Sequence, residues 1–242
     1  MLHKERLEVV KSRYQKLREP FLNSEKFKNS KELRQSYQKS LNEIIERFID
    51  FEGMNSDVMK AGYPDELDFN STNAYIDALK PLPDDFINIV IDWIPRLKYK
   101  AGAVSYLRES KNRYDGRVLI PIFDEASSKE KWFICDAIVQ NPPKHLNEWV
   151  KQTYLDKRFG YSETGLLPLA VAKMFPKDEA REILKLGFDH HYRVTPEALG
   201  KIGRPEDISF LEEKLSKSYD APHVKKDIMK AINRIRKRAL KP

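Results

Sequence analysis

The 242-residue chain reads as an all-α protein. The prediction is an N-terminal helical segment over residues 1–82 and an α-α superhelix over 83–242, a solenoid of about five helix pairs. Three observations carry it. Apolar residues recur at helical spacing, most clearly at Leu33, Tyr37, Leu41, Ile44, Ile45, Phe48 and Ile49, which is the stripe a buried helix face requires. The period-two alternation of half-buried strands is missing from most segments, and only nine glycines are present. Finally, an alanine followed by an apolar residue returns at Ala137, Ala170, Ala198 and Ala231, at spacings of 33, 28 and 33 residues. A period in the range of about 20–50 residues is the signature of stacked repeats.

The N-terminal segment opens with a helix over 2–18, carrying Leu2, Val9, Val10, Tyr14 and Leu17 and stopped by Pro20. Ser30 is the expected N-cap of a second helix over 31–52. Residues 53–82 mix turn formers with short apolar clusters and are expected to hold one or two short helices.

Five helix pairs follow: 84–97 with 100–110, 116–126 with 128–140, 144–157 with 162–174, 177–187 with 194–202, and 205–217 with 222–239. Ser127 stands three residues before Glu130, the spacing of a capping box. Thr195-Pro196-Glu197 reads as a cap followed by proline at the first helical position. Pro168 falls inside its helix, where it is expected to kink or break it. The recurring alanines have a physical reason: one helix pair cannot bury its apolar face alone, and small residues let neighbouring helices approach closely.

The sequence ALGKIGRPEDISFLEEKL, followed by HVKKDIMKAINRI, resembles bacterial HEAT-like repeats, also called phycobilisome-lyase-type repeats. The early prolines Pro95 and Pro121 are similar to the kinked first helix of HEAT units, and Asp220 before Val224-Lys225 is similar to a recurrent feature of these repeats. The resemblance covers roughly residues 83–240 and implies a fold and an interaction scaffold, with no particular chemistry.

The formal charge of +7 is unevenly placed. Residues 222–242 hold eight Lys/Arg against Asp227, which is the whole excess; the other 221 residues carry 36 of each sign. Residues 50–92 have a net charge of −8, and the first eighteen residues are basic. The charge therefore bears on particular surfaces and says little about the molecule as a whole.

A single cysteine, Cys135, excludes an internal disulfide and a zinc site of paired thiolates. It lies in an apolar helix and reads as a small buried hydrophobe. The N-terminus lacks the apolar core of a signal peptide, and the longest apolar run, Ile87 to Ile94, is too short to span a bilayer. A cytoplasmic location and no membrane partner are expected. No phosphate loop, nucleophile elbow or His-x-x-x-His helix occurs, and the adjacent His190 and His191 read as a surface turn, so no catalytic residue, metal or cofactor is predicted.

Two surfaces remain. Trp132 and Asp136, an i, i+4 pair on a second helix, with Lys131, Lys173 and Lys201, form the expected ligand or partner surface. The plainer reading is that Trp132 packs between repeats. The second surface is the basic face of the final helix, with Lys225, Lys226, Lys230, Arg234 and Lys237, which is either a phosphate-contacting stripe or a solvated capping helix. The function predicted is a non-catalytic protein-binding scaffold, using the concave surface of the solenoid or the acidic region before it. The alternative is nucleic-acid binding through the basic helix, including DNA recognition of the repair type.

Overall fold

The computed structural model describes residues 3–65, 74–217, 219, 221 and 223–240. The described residues are all-α, with no β-strand among them. The chain divides into two compact units, Met1–Tyr106 and Leu107–Pro242. The first unit thus takes in residues 84–97 and 100–106, most of the helix pair that the sequence assigns to the start of the repeats.

The first unit contains α1 (His3–Leu22), α2 (Glu25–Asn29), α3 (Lys31–Lys60), α4 (Ala74–Leu79), α5 (Asp84–Trp93) and α6 (Lys100–Leu107). α1 runs through Pro20 where a stop was expected. Proline removes one N–H and leaves one carbonyl without its donor; this end of the helix is exposed, so water can replace the lost bond. Ser30 caps α3 as expected, accepting from Leu33 N at 3.2 Å, and Ser24 caps the unforeseen α2 by accepting from Phe27 N at 3.2 Å.

α3 is eight residues longer than its pattern implied, and its buried residues are Leu41, Met54, Asn55 and Val58. Of the seven-residue stripe only Leu41 is buried, and Ile49 is 48% exposed. Turn formers in the extension are used for packing. A Cβ at Gly53 would lie 2.2 Å from the Trp93 ring, so glycine is what lets α5 close on α3. Asn55 accepts from the buried Tyr75 hydroxyl and donates to Asp65 at 3.3 Å.

The second unit contains α7 (Leu119–Glu125), α8 (Ser128–Gln140), α9 (Asn147–Leu155), α10 (Tyr161–Thr164), α11 (Leu167–Met174), α12 (Lys177–Leu186), α13 (Thr195–Ile202), α14 (Ile208–Ser216) and α15 (His223–Ala239). α8, α11, α13 and α15 pack in series, each against the next. α7 packs on α8, α9 on α11, α12 on both α11 and α13, and α14 on α15. The recurring alanines sit in the serial layer: Ala137, Ala170 and Ala198 have no exposed surface and Ala231 has 1%. A Cβ at Gly200 would lie 3.2 Å from that of Ala231, which marks how closely α13 and α15 approach.

Local signals account for most boundaries. The Ser127–Glu130 capping box forms, with Ser127 N donating to the Glu130 carboxylate at 3.0 Å and Glu130 N to Ser127 Oγ at 3.4 Å. The predicted helix over 162–174 breaks into α10 and α11, which places Pro168 in the first turn of α11. That position needs no N–H donor, so the proline costs little there. Thr195 is not the cap of α13; Val194 occupies that place. The buried Thr195 hydroxyl instead donates to the His191 carbonyl at 2.8 Å. His191 is only 1% exposed, against the surface turn expected of it. Asp220, one of the residues carrying the repeat resemblance, lies outside the described residues.

Candidate functional site

The side chains expected to form a partner surface do not converge. Asp136 forms an ion pair with Arg108 at 3.0 Å and accepts from Gln140 at 3.3 Å. Lys131 is held inside the unit: its ammonium stands 5.5 Å from the centre of the Phe123 ring, 5.2 Å from that of Phe159 and 3.8 Å from the Glu163 carboxylate. Lys173 donates its Nζ to the Val139 carbonyl in the last turn of α8. Lys201 pairs with Glu197 one turn away at 2.7 Å. All three lysines are thus tied to the fold's own acceptors.

Trp132 has a different setting. Its ring meets Tyr161, the first residue of α10, edge-on with centres 5.7 Å apart. The Arg193 guanidinium lies over the Tyr161 ring at 5.1 Å and over the Tyr192 ring at 5.9 Å. Tyr192 stacks on Tyr219 with centres 5.0 Å apart and ring planes 29° apart. Trp132, Tyr161, Arg193, Tyr192 and Tyr219 therefore form one continuous row, running from α8 to the segment before α15. Tyr161 is 41% exposed, and the other four are half-buried.

Sequence reasoning found one member of this row. The signal for the others was a spacing: Trp132, Tyr161, Tyr192 and Tyr219 follow one another at 29, 31 and 27 residues, close to the alanine period. Tyr161 opens α10, and Tyr192 and Tyr219 precede α13 and α15, whereas Trp132 lies one turn inside α8.

Five acids of the acidic region are bonded within the first unit. Asp50 accepts from the backbone N–H groups of Lys98 and Tyr99, both at 2.9 Å. Glu52 and Asp65 both pair with the buried Arg6. Asp57 accepts from Lys60 and from Trp93 Nε1, both at 2.9 Å, and these bonds hold its carboxyl below the usual range. The Tyr63 hydroxyl donates to Asp85 at 2.7 Å; burial, together with this carboxylate, pushes the phenol up to about 12. These five acids are acceptors that the fold itself uses.

On the final helix the cations divide into two sets. Lys230 pairs with Asp227 and Arg236 with Glu212, each at 2.8 Å. Arg238 donates to the carbonyls of Gly200, Lys201 and Gly203, closing the C-terminal end of α13. Lys225, Lys226, Arg234 and Lys237 are exposed and form no ion pair among the described residues.

Two chemistry-bearing side chains elsewhere, Cys135 and His191, are enclosed. Cys135 has no exposed surface, and burial pushes its thiol up, which removes it as a nucleophile. His191 bonds the Tyr154 carbonyl through Nε2 at 2.9 Å, and burial holds its imidazole down to about 4. No group of three or more metal-ligating side chains is found among the described residues, and none of their helices is long and apolar enough to cross a membrane. No protein-family model, curated protein or solved structure matches the chain.

Proposed function

We propose that the chain is a cytoplasmic, non-catalytic, protein-binding scaffold built on HEAT-like helix pairs. The observation that carries this reading is the row of Trp132, Tyr161, Arg193, Tyr192 and Tyr219. Trp, Tyr and Arg dominate the binding energy of protein interfaces, because each combines a large apolar area with a polar edge, and Trp and Tyr lose little side-chain freedom on binding. Contact between neighbouring rings fixes the row before a partner arrives, which lowers the ordering cost of association. The serial packing of α8, α11, α13 and α15 supports the repeat reading, since it brings equivalent edges of successive pairs into line.

The test is affinity capture from the native host after nuclease treatment, with the wild-type chain, a Tyr161→Ala/Arg193→Ala variant and a Leu186→Ser control. Leu186 is 75% exposed and outside the row. A protein retained by the wild type and the control and lost by the row variant supports the reading. Equal retention by all three sinks it.

A further inference from the structure

The final helix α15 is seated by one face and basic on the other. Val224, Ile228, Ala231, Ile232 and Ile235 are each at most 1% exposed, against α13 and α14. Burying such side chains stabilises by about 1.5–3 kcal/mol each for the larger ones, so the helix is held firmly and its outer side chains keep a fixed spacing. On that outer side Lys226, Lys230, Arg234 and Lys237 follow the i, i+4, i+8, i+11 pattern of one helical stripe.

Elsewhere in the second unit several surface cations are matched along their own helices, as in Lys185 with Glu182 on α12 and Lys201 with Glu197 on α13, whereas three of the four in the stripe are not. Within the stripe only Lys230 forms an ion pair among the described residues, with Asp227, and both side chains are open to solvent in part, at 56% and 28%. Such a pair is worth about 0–1 kcal/mol and exchanges readily for another anion. The remaining three cations have no ion-pair partner among the described residues.

We propose that this stripe binds the phosphodiester backbone of a nucleic-acid duplex. At a rise of about 1.5 Å per residue, Lys226 to Lys237 span about 16 Å. One strand of a duplex presents a phosphate every ~3.4 Å of axis, so about five phosphates face four cations held at regular intervals. No Phe, Trp or Tyr occurs on α15 and its one histidine, His223, precedes the stripe, so the stripe offers charge to the backbone and no stacking surface to the bases. Binding is therefore independent of sequence. An anionic lipid surface fits less well, because membrane-seated helices insert an apolar face and that of α15 is covered by α13 and α14. The inference is independent of the aromatic row and concerns a separate surface.

The test is fluorescence anisotropy of the full chain with a labelled 20-base-pair duplex of arbitrary sequence. Neutralising about four phosphates predicts a slope of log K against log salt of about −3.5, which is a fall of roughly 100-fold in affinity between 50 and 200 mM salt. The variant Lys226→Gln/Arg234→Gln/Lys237→Gln should bind at least about 10-fold more weakly at 50 mM, and its slope should flatten by about 3. These side chains are exposed, so its circular dichroism and Tm should match the wild type. A control with the same charge change elsewhere, Lys111→Gln/Lys129→Gln/Lys177→Gln, should lose less than about threefold, because the stripe and not the net charge makes the contact. The proposal is overturned if the stripe variant binds as the wild type does, or if the control loses as much. It is equally overturned if poly-glutamate or phosphatidylserine vesicles are bound as tightly as the duplex.

Discussion

The Nε2 atom of His191 lies 2.9 Å from the carbonyl oxygen of Tyr154, and the imidazole stacks on the phenol of the same tyrosine with ring centres 4.7 Å apart. The bond requires a proton on Nε2, which leaves Nδ1 as a bare acceptor, buried and without a partner. Protonating Nδ1 would place a cation beside the His190 ring, 4.7 Å away, with no acceptor in reach. Burial is the main reason that the imidazole titrates near 4, with His190 adding to it.

This arrangement makes stability depend on pH in a defined direction. The folded value of about 4 is below the ordinary 6.5, so the unfolded chain takes up the proton first. The contribution is complete above about pH 6.5 and is lost as pH falls from there toward 4. Between pH 7.5 and 4.5 His191 should account for about 2–3 kcal/mol of lost stability. Urea unfolding of the wild type and of His191→Phe at the two pH values checks it. The variant should lose less on acidification by about that amount, and an unchanged difference refutes the assignment.

Gly53→Ala should destabilise the first unit. Alanine is the better helix former by about 1 kcal/mol. Its Cβ would nonetheless stand 2.2 Å from the Trp93 ring and force it away from α3 and from Asp57, to which Trp93 Nε1 donates. Overpacking costs about 1–3 kcal/mol, so the net effect is a lower Tm. A raised Tm in calorimetry would show that α5 is free to move.

Ala231→Leu tests the close approach of α13 and α15. Ala231 is 1% exposed, with its Cα 3.1 Å from where a Cβ on Gly200 would stand. The larger side chain should cost about 1–3 kcal/mol in urea unfolding. Asn233→Leu, exposed on the same helix, should change stability by less than about 0.5 kcal/mol. Similar losses for both would mean that the alanine position is not a packing constraint.

Asp207 has no exposed surface and faces two cations, Arg181 Nε at 2.9 Å and Lys185 Nζ at 2.6 Å, while accepting from Arg204 N at 2.9 Å. Asp207→Asn keeps the shape and removes the charge, leaving the buried Arg181 with only its exposed partners Asp178 and Glu206. Breaking a buried pair in this way costs about 3 kcal/mol or more. Denaturant unfolding should show it, with little change between 50 and 500 mM salt because buried pairs are poorly screened. A loss below about 1 kcal/mol would place the network outside the stability of the fold.

The all-α class was legible because helical periodicity and capping are local. The Ser30 cap and the Ser127–Glu130 box each concern residues within one helix and each forms, and the four recurring alanines are all buried. Errors arose where a distant contact overrides a local preference. Gly53 and Asn55 look like turn residues, yet α3 continues through them because Trp93 and Tyr75 pack or bond there. Thr195 looks like a cap, but its hydroxyl is drawn to the His191 carbonyl and lies 3.3 Å from the Tyr154 hydroxyl.

The candidate surface was less legible than the fold. Lysines 131 and 173 carry no mark in the sequence that separates a free cation from one already bonded, and only their neighbours in space decide it, whereas the partner of Lys201 stands four residues before it. The basic final helix is the contrary case. Its seven Lys/Arg face one acid on the same helix, so pairing them all would need acids from other elements, and among the described residues only Glu212 supplies one. The sequence alone determined helix type, the spacing of the buried alanines and the local excess of charge, since these follow from spacing and count along the chain. Which acids and lysines the fold uses for itself, and which aromatic rings form a row, was decided by tertiary structure, because ion pairs and ring contacts depend on distances between residues about 30 positions apart.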